Sequence, residues 1–141
     1  MKARYVLLCA VLAAAVAVSQ DTTRSVWDGV YTADQAKRGE SAYAVNCASC
    51  HGDQLNGGEM APPLAGGEFM SNWNGLTVGD LFERIRTTMP ANNPGKLSRE
   101  TNADITAFIL AFNKFPAGDH ELPRTTEALK QIKLEAEKPK K

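Results

Sequence analysis

The feature that most restricts this chain is the run Cys47-Ala48-Ser49-Cys50-His51. Two thiols three positions apart with an imidazole directly after them form the C-x-x-C-H pattern that attaches a c-type haem. The chemistry uses every member. On one helical turn both sulfurs reach the same edge of the macrocycle, where they can form thioethers to its two vinyl groups, and the adjacent imidazole projects under the iron as proximal ligand. Two other fates of the pair need surroundings the chain does not offer. A thioredoxin-like dithiol sits in a βαβ frame with a strand before it, whereas an Ala-rich helical pattern precedes Cys47. A zinc site needs two further Cys or His ligands, and His120 is the one such residue left once Cys9 is set aside.

Cys9 is set aside because residues 1–19 read as an export signal. Lys2 and Arg4 make a positive start, Tyr5 to Val18 is an uncharged run rich in Ala, Val and Leu, and Ala17-Val18-Ser19 supplies small residues for cleavage. The alternative, a retained membrane anchor, is short of the ~20 apolar residues that span a bilayer. Cleavage removes Cys9 and leaves no transmembrane span. An exported protein ordinarily oxidises its last two cysteines to a disulfide; here haem attachment would consume both.

The 141 residues carry sixteen Lys and Arg against sixteen Asp and Glu, a net charge of zero that conceals three unlike pieces. Residues 1–19 hold +2, residues 20–123 hold −5 and residues 124–141 hold +3. No basic cluster large enough to replace phosphate counterions is present in this pattern, so nucleic acid is not expected as a partner. An acidic working domain predicts a partner with a basic docking surface and association that slows with salt.

An iron bound by His51 on one face keeps a second axial position, for which the candidates are Met60, Met70, Met89 and His120. Met60 and Met70 lie among Gly and Pro close behind the motif, where the chain is poorly placed to return to the far face. Met89 stands 38 residues after His51 in Thr87-Thr88-Met89-Pro90, beyond a helical pattern from Leu81 to Arg86, with Pro90 blocking continuation of the helix. We therefore expect His51 and Met89 as the axial pair. His120, in Ala117-Gly118-Asp119-His120-Glu121, reads as an exposed turn residue.

With these residues in view the chain resembles class I c-type cytochromes over about residues 34–115. Gly39, Tyr43, Cys47 and His51 fall at steps of four, as in the amino-terminal helix of that family, whose Gly and aromatic pack on an aromatic of the last helix; Phe108 is the matching residue. By the same resemblance, Pro62 of Pro62-Pro63-Leu64 offers its carbonyl to the proximal imidazole, and Trp73 donates its indole N–H to a haem propionate; the alternative for Trp73 is a buried packing residue. The string from Val26-Trp27-Asp28-Gly29 to Gly66-Gly67-Glu68-Phe69 is similar to cytochrome modules that serve pyrroloquinoline-quinone dehydrogenases. The resemblance implies an all-α, small cytochrome c fold with three to four helices wrapped around one covalently bound haem c. It divides the chain into a signal peptide (1–19), an amino-terminal extension (20–33), a cytochrome c domain (34–115) and a carboxy-terminal extension (116–141).

The residues read independently agree on helices. Thr32-Ala33-Asp34-Gln35 has capping-box form and opens a helix to about Ser49, a second runs from Thr77 or Val78 to Arg86, and Ser98 caps a third to about Asn113. Thr101, Ile105, Phe108 and Phe112 make one stripe on the third, which Ile109 and Leu110 widen. The Gly- and Pro-rich stretches 52–67 and 90–96 are long for loops in a compact domain unless a cofactor fills the centre. The tail from Arg124 is charged and reads as a mobile solvated extension, with a short amphipathic helix through Leu129 and Ile132 as the alternative. Function follows from the ligands: with both axial positions filled, one-electron transfer remains, in the periplasm or otherwise outside the cytoplasm, between redox partner proteins such as a dehydrogenase donor and an oxidase acceptor. Electrons would leave at the thioether edge, among Ala48, Ala61 and Ala91. The alternative is a haem protein with a labile sixth ligand, acting as a gas sensor or peroxidase-like enzyme.

Overall fold

Three helices begin where a hydroxyl can satisfy their first free N–H groups. In the computed structural model, which describes residues 24–140, Thr32 accepts from the Gln35 N–H at 3.2 Å and opens α1, Ala33–Asn46. Thr77 accepts from the Asp80 N–H at 3.1 Å and, with the Asp80 carboxylate returning to the Thr77 N–H, closes a capping box on α4, Val78–Thr88. Ser98 accepts from the Thr101 N–H at 3.0 Å and opens α5, Arg99–Phe112. At the first of these the expected capping box is incomplete. The Gln35 side chain turns inward and pairs with both backbone groups of Leu122, donating to its carbonyl at 3.3 Å and accepting from its N–H at 2.7 Å.

Between these lie α2, Ala48–His51, and α3, Gly66–Trp73; after them comes α6, Thr126–Leu129, and the two ends of the described chain meet in a two-residue parallel pairing of β1, Arg24–Ser25, with β2, Ile132–Lys133. The fold is all-α as expected, with α1 ending sooner: Cys47 leaves helical geometry at φ −129°, and the motif takes a separate turn. Among the described residues no helix is long and apolar enough to cross a membrane. The expected signal, residues 1–19, lies outside them.

α1 crosses α5 at Gly39, where a Cβ would overlap the Asp104 carbonyl and meet the Phe108 Cβ at 2.9 Å. One turn further on, Tyr43 stacks on Phe108 with ring centroids 5.2 Å apart. Arg38 fastens the same crossing, its guanidinium donating to both Asp104 carboxylate oxygens at 3.1 and 3.0 Å and to Glu121 at 2.7 Å. The stripe expected on α5 holds in part: Ile105, Ile109 and Leu110 are buried, but Thr101, Phe108 and Phe112 are only half-buried, and Ala103, Thr106 and Ala107 are buried as well. The reason is that α5 is covered from more than one side, by α1 and by α4.

The carboxy-terminal segment departs most from expectation. Leu122, Leu129, Ile132 and Leu134 are all at most 2% exposed, so this stretch is part of the core and not a solvated extension. Burying these side chains contributes ~1.5–3 kcal/mol each, which together with the segment's hydrogen bonds works against the entropy cost of ordering it. The amino-terminal extension meets it: Trp27 packs edge-on against Phe115 and donates its indole N–H to the Glu135 carbonyl at 2.9 Å.

Candidate haem-binding site

A cavity of about 330 Å³ opens between α3, α4 and α5, walled by Leu64, Leu81, Ile85, Ile105 and Ile109, with His51 and Met89 both on its lining. The sequence motif reaches it through α1. The Tyr43 hydroxyl donates to the Gly52 carbonyl at 2.8 Å, tying the helix to the residue after the ligand, and His51 is 6% exposed at the end of α2.

The proximal imidazole is oriented by one contact. His51 Nδ1 lies 2.8 Å from the Pro62 carbonyl oxygen. A carbonyl can only accept, so Nδ1 carries the proton and Nε2 keeps the lone pair that a metal needs. Such a partner fixes ring orientation and raises ligand basicity.

Cys50 is exposed and Cys47 half-buried. Burial, and then the neighbouring Cys50, push the Cys47 thiol up to about 11. That is the opposite of the depressed pKa an attacking dithiol requires, so this environment does not suit thioredoxin-like exchange. Among the described residues no group of three His, Cys, Asp or Glu could hold a metal ion, which counts against zinc.

The methionines separate by position. Met89 caps the end of α4, its N–H donating to the Ile85 carbonyl at 3.0 Å, and lies on the cavity wall. Met70 packs half-buried on the core away from that lining, and Met60 is 89% exposed. His120 is exposed. Trp73 lies on the cavity wall beside Asn72, and two further polar residues there, Arg84 and Thr88, were not anticipated from sequence. Arg84 is the wall's one guanidinium, and its place on the expected helix beside Leu81 and Ile85 was the signal that could have found it, whereas Thr88 lies past the Arg86 end expected for that helix.

These residues fit a haem: an apolar slot, an imidazole with its free nitrogen defined, a thioether sulfur on the same lining, two thiols beside the imidazole, and donors on the wall for propionates.

A family model described as cytochrome C oxidase, cbb3-type, subunit III matches residues 34–109. The fold is similar to a chain in the crystal structure of the sulfane dehydrogenase SoxCD from Paracoccus pantotrophus, at 28% identity and a TM-score of 0.53, over 77% of this chain. This chain spans 61% of the length of that one. No curated protein matches it.

Proposed function

We propose, given that the chain belongs to the family of c-type cytochrome domains described as cytochrome C oxidase, cbb3-type, subunit III, that it is an exported mono-haem carrier taking single electrons from a dehydrogenase and passing them to a terminal oxidase. Its fold is that of a class I c-type cytochrome domain; such a domain binds haem c covalently and transfers electrons between redox partners. The haem supplies a one-electron iron couple. What the chain's own residues do is the part proposed here.

Cys47 and Cys50 would hold the haem through thioethers. His51, its Nδ1 held by the Pro62 carbonyl, would offer Nε2 to the iron, and Met89 would offer its thioether sulfur. The observation that carries this reading is that His51 and Met89 share one apolar cavity while Met60 and Met70 do not line it. With both positions filled there is no open site for substrate, and a thioether ligand favours ferrous iron and raises the potential. Trp73, Asn72 and Arg84 provide donors for the propionates. Cys50, exposed at the surface, marks the edge at which electrons leave, near Ala48 and Ala61.

A donor with a quinone cofactor is the finer reading. Support for a place beside a dehydrogenase comes from the likeness to a chain of SoxCD, and for an oxidase at the other end from the family description. The ligand set is tested by substitution: Met89→Ala should abolish the sulfur-to-iron charge-transfer band of the ferric protein and lower the potential, while Met60→Ala and Met70→Ala leave both unchanged. Loss of the band in Met60→Ala or Met70→Ala would overturn the assignment.

A further inference from the structure

α4 presents two opposite stripes with the same spacing. Leu81, Arg84, Ile85 and Thr88 line the haem cavity. About half a turn around the helix, Gly79, Phe82, Glu83 and Arg86 repeat that spacing, and Gly79 and Phe82 are buried although they lie away from the haem. What covers Gly79 and Glu83 is the carboxy-terminal arm. A Cβ on Gly79 would meet the Lys130 nitrogen at 2.6 Å and the Thr126 carbonyl oxygen at 2.8 Å, so arm and helix backbones touch there. The Thr126 hydroxyl donates to the Glu83 carboxylate at 2.7 Å. Beyond α6 the arm grips the turn that enters α4: the Gly75 N–H donates to the Leu134 carbonyl at 2.8 Å, the Leu134 N–H to the Leu76 carbonyl at 2.8 Å, and the Ala136 N–H to the Asn74 side chain at 2.8 Å. The matched family region ends at residue 109, so it takes in the α4 side of these contacts and none of the arm's residues.

We propose that residues 122–136 are a positioning strap that clamps the outer stripe of α4 and the 74–77 turn, and thereby holds Met89, at the far end of the same helix, on the iron. A helix moves as a rod, so fixing Gly79 and Glu83 on one side fixes Ile85 and Thr88 on the other and the sulfur that follows them. Methionine ligation is an equilibrium between a closed and an open iron, and the apparent affinity for an added ligand scales with the open fraction. The strap keeps that fraction small. This rests on Met89 being the axial ligand.

Gly79→Ala gives the sharpest test in the full-length holoprotein. The added methyl wedges the arm away from α4, yet leaves the cavity stripe untouched and favours the helix by ~1 kcal/mol, so a purely structural role predicts no loss of ligation. A second variant, Leu129→Asp with Leu134→Asp, expels the arm by placing charge in its two buried anchors. Arm release is read from hydrogen exchange of the Leu134 amide, and ligation from the ferric charge-transfer band and carbon monoxide affinity of the ferrous form. The expected result is a weakened band and a carbon monoxide affinity raised by about tenfold or more wherever the arm is released. An arm that exchanges freely while band and affinity stay as in the parent overturns the strap. Met89→Ala keeping its band would instead overturn the ligand assignment.

Discussion

A methyl group at position 39 would overlap the Asp104 carbonyl, which is backbone and cannot rotate away. The close crossing of α1 and α5 therefore needs glycine there, even though glycine costs the helix ~1 kcal/mol against alanine. Gly39→Ala should destabilise the holoprotein by about 1–3 kcal/mol, as overpacking does, measured by denaturant unfolding; a stabilised variant would contradict the crossing. Gly39, Tyr43 and Phe108 were legible in the sequence because the motif sets a register of four residues running back from His51. Gln35 was not. Its place at the third helical position imitates a capping box, but its real partner is the backbone of Leu122, 87 residues away, and no local pattern carries that.

At the scale of elements, the helices with their own capping hydroxyls were readable and α3 was not. It opens with Gly66-Gly67 after Ala65, with no capping side chain of its own. Its cap comes from the end of α5, where Asn113 accepts from the Gly66 N–H at 3.0 Å and donates to the Leu64 carbonyl at 3.0 Å. Read locally, two glycines after a Pro-rich stretch are a loop. The carboxy-terminal arm was misread for a related reason, since Leu129 and Ile132 stand at helical spacing, Ile132 and Leu134 at strand spacing, and all sit among charges, so no single period runs through them. Its docking on α4 has a pH signature. Arg86, then the Thr126 hydroxyl, holds the Glu83 carboxyl down to about 2, below its ordinary 4.5. Such a group stabilises the fold above the ordinary value, and the contribution is lost as pH falls from about 4.5 through about 2. Protection of the α6 amides, measured against their intrinsic exchange rates, should fall over that window in the parent, and Glu83→Gln should flatten the fall. An unchanged profile in that variant would contradict the linkage.

The whole molecule is small, and the space between α3, α4 and α5 is walled by aliphatic side chains that only a cofactor would cover. Of the two loops expected around a cofactor, 52–67 reaches the cavity with Pro62, Pro63 and Leu64 and brings the Pro62 carbonyl to His51, whereas no residue of 90–96 lines it. Protein in which Cys47 and Cys50 are both replaced by alanine, and which carries no haem, should show less helix by circular dichroism than the holoprotein; full native helix content would contradict a haem-completed core. Residues 20–123 carry −5 and residues 124–141, part of which joins the core, carry +3, a net of −2 to which haem propionates would add, so association with an electron partner should slow as ionic strength rises, read by stopped-flow reduction. A rate indifferent to salt would contradict an electrostatically steered encounter. The central claim, that His51 and Met89 close both faces of the iron and leave electron transfer as its chemistry, is tested most directly by exposing the reduced parent protein to carbon monoxide. The account predicts an unchanged ferrous absorption spectrum; prompt conversion to a carbon monoxide complex would contradict it.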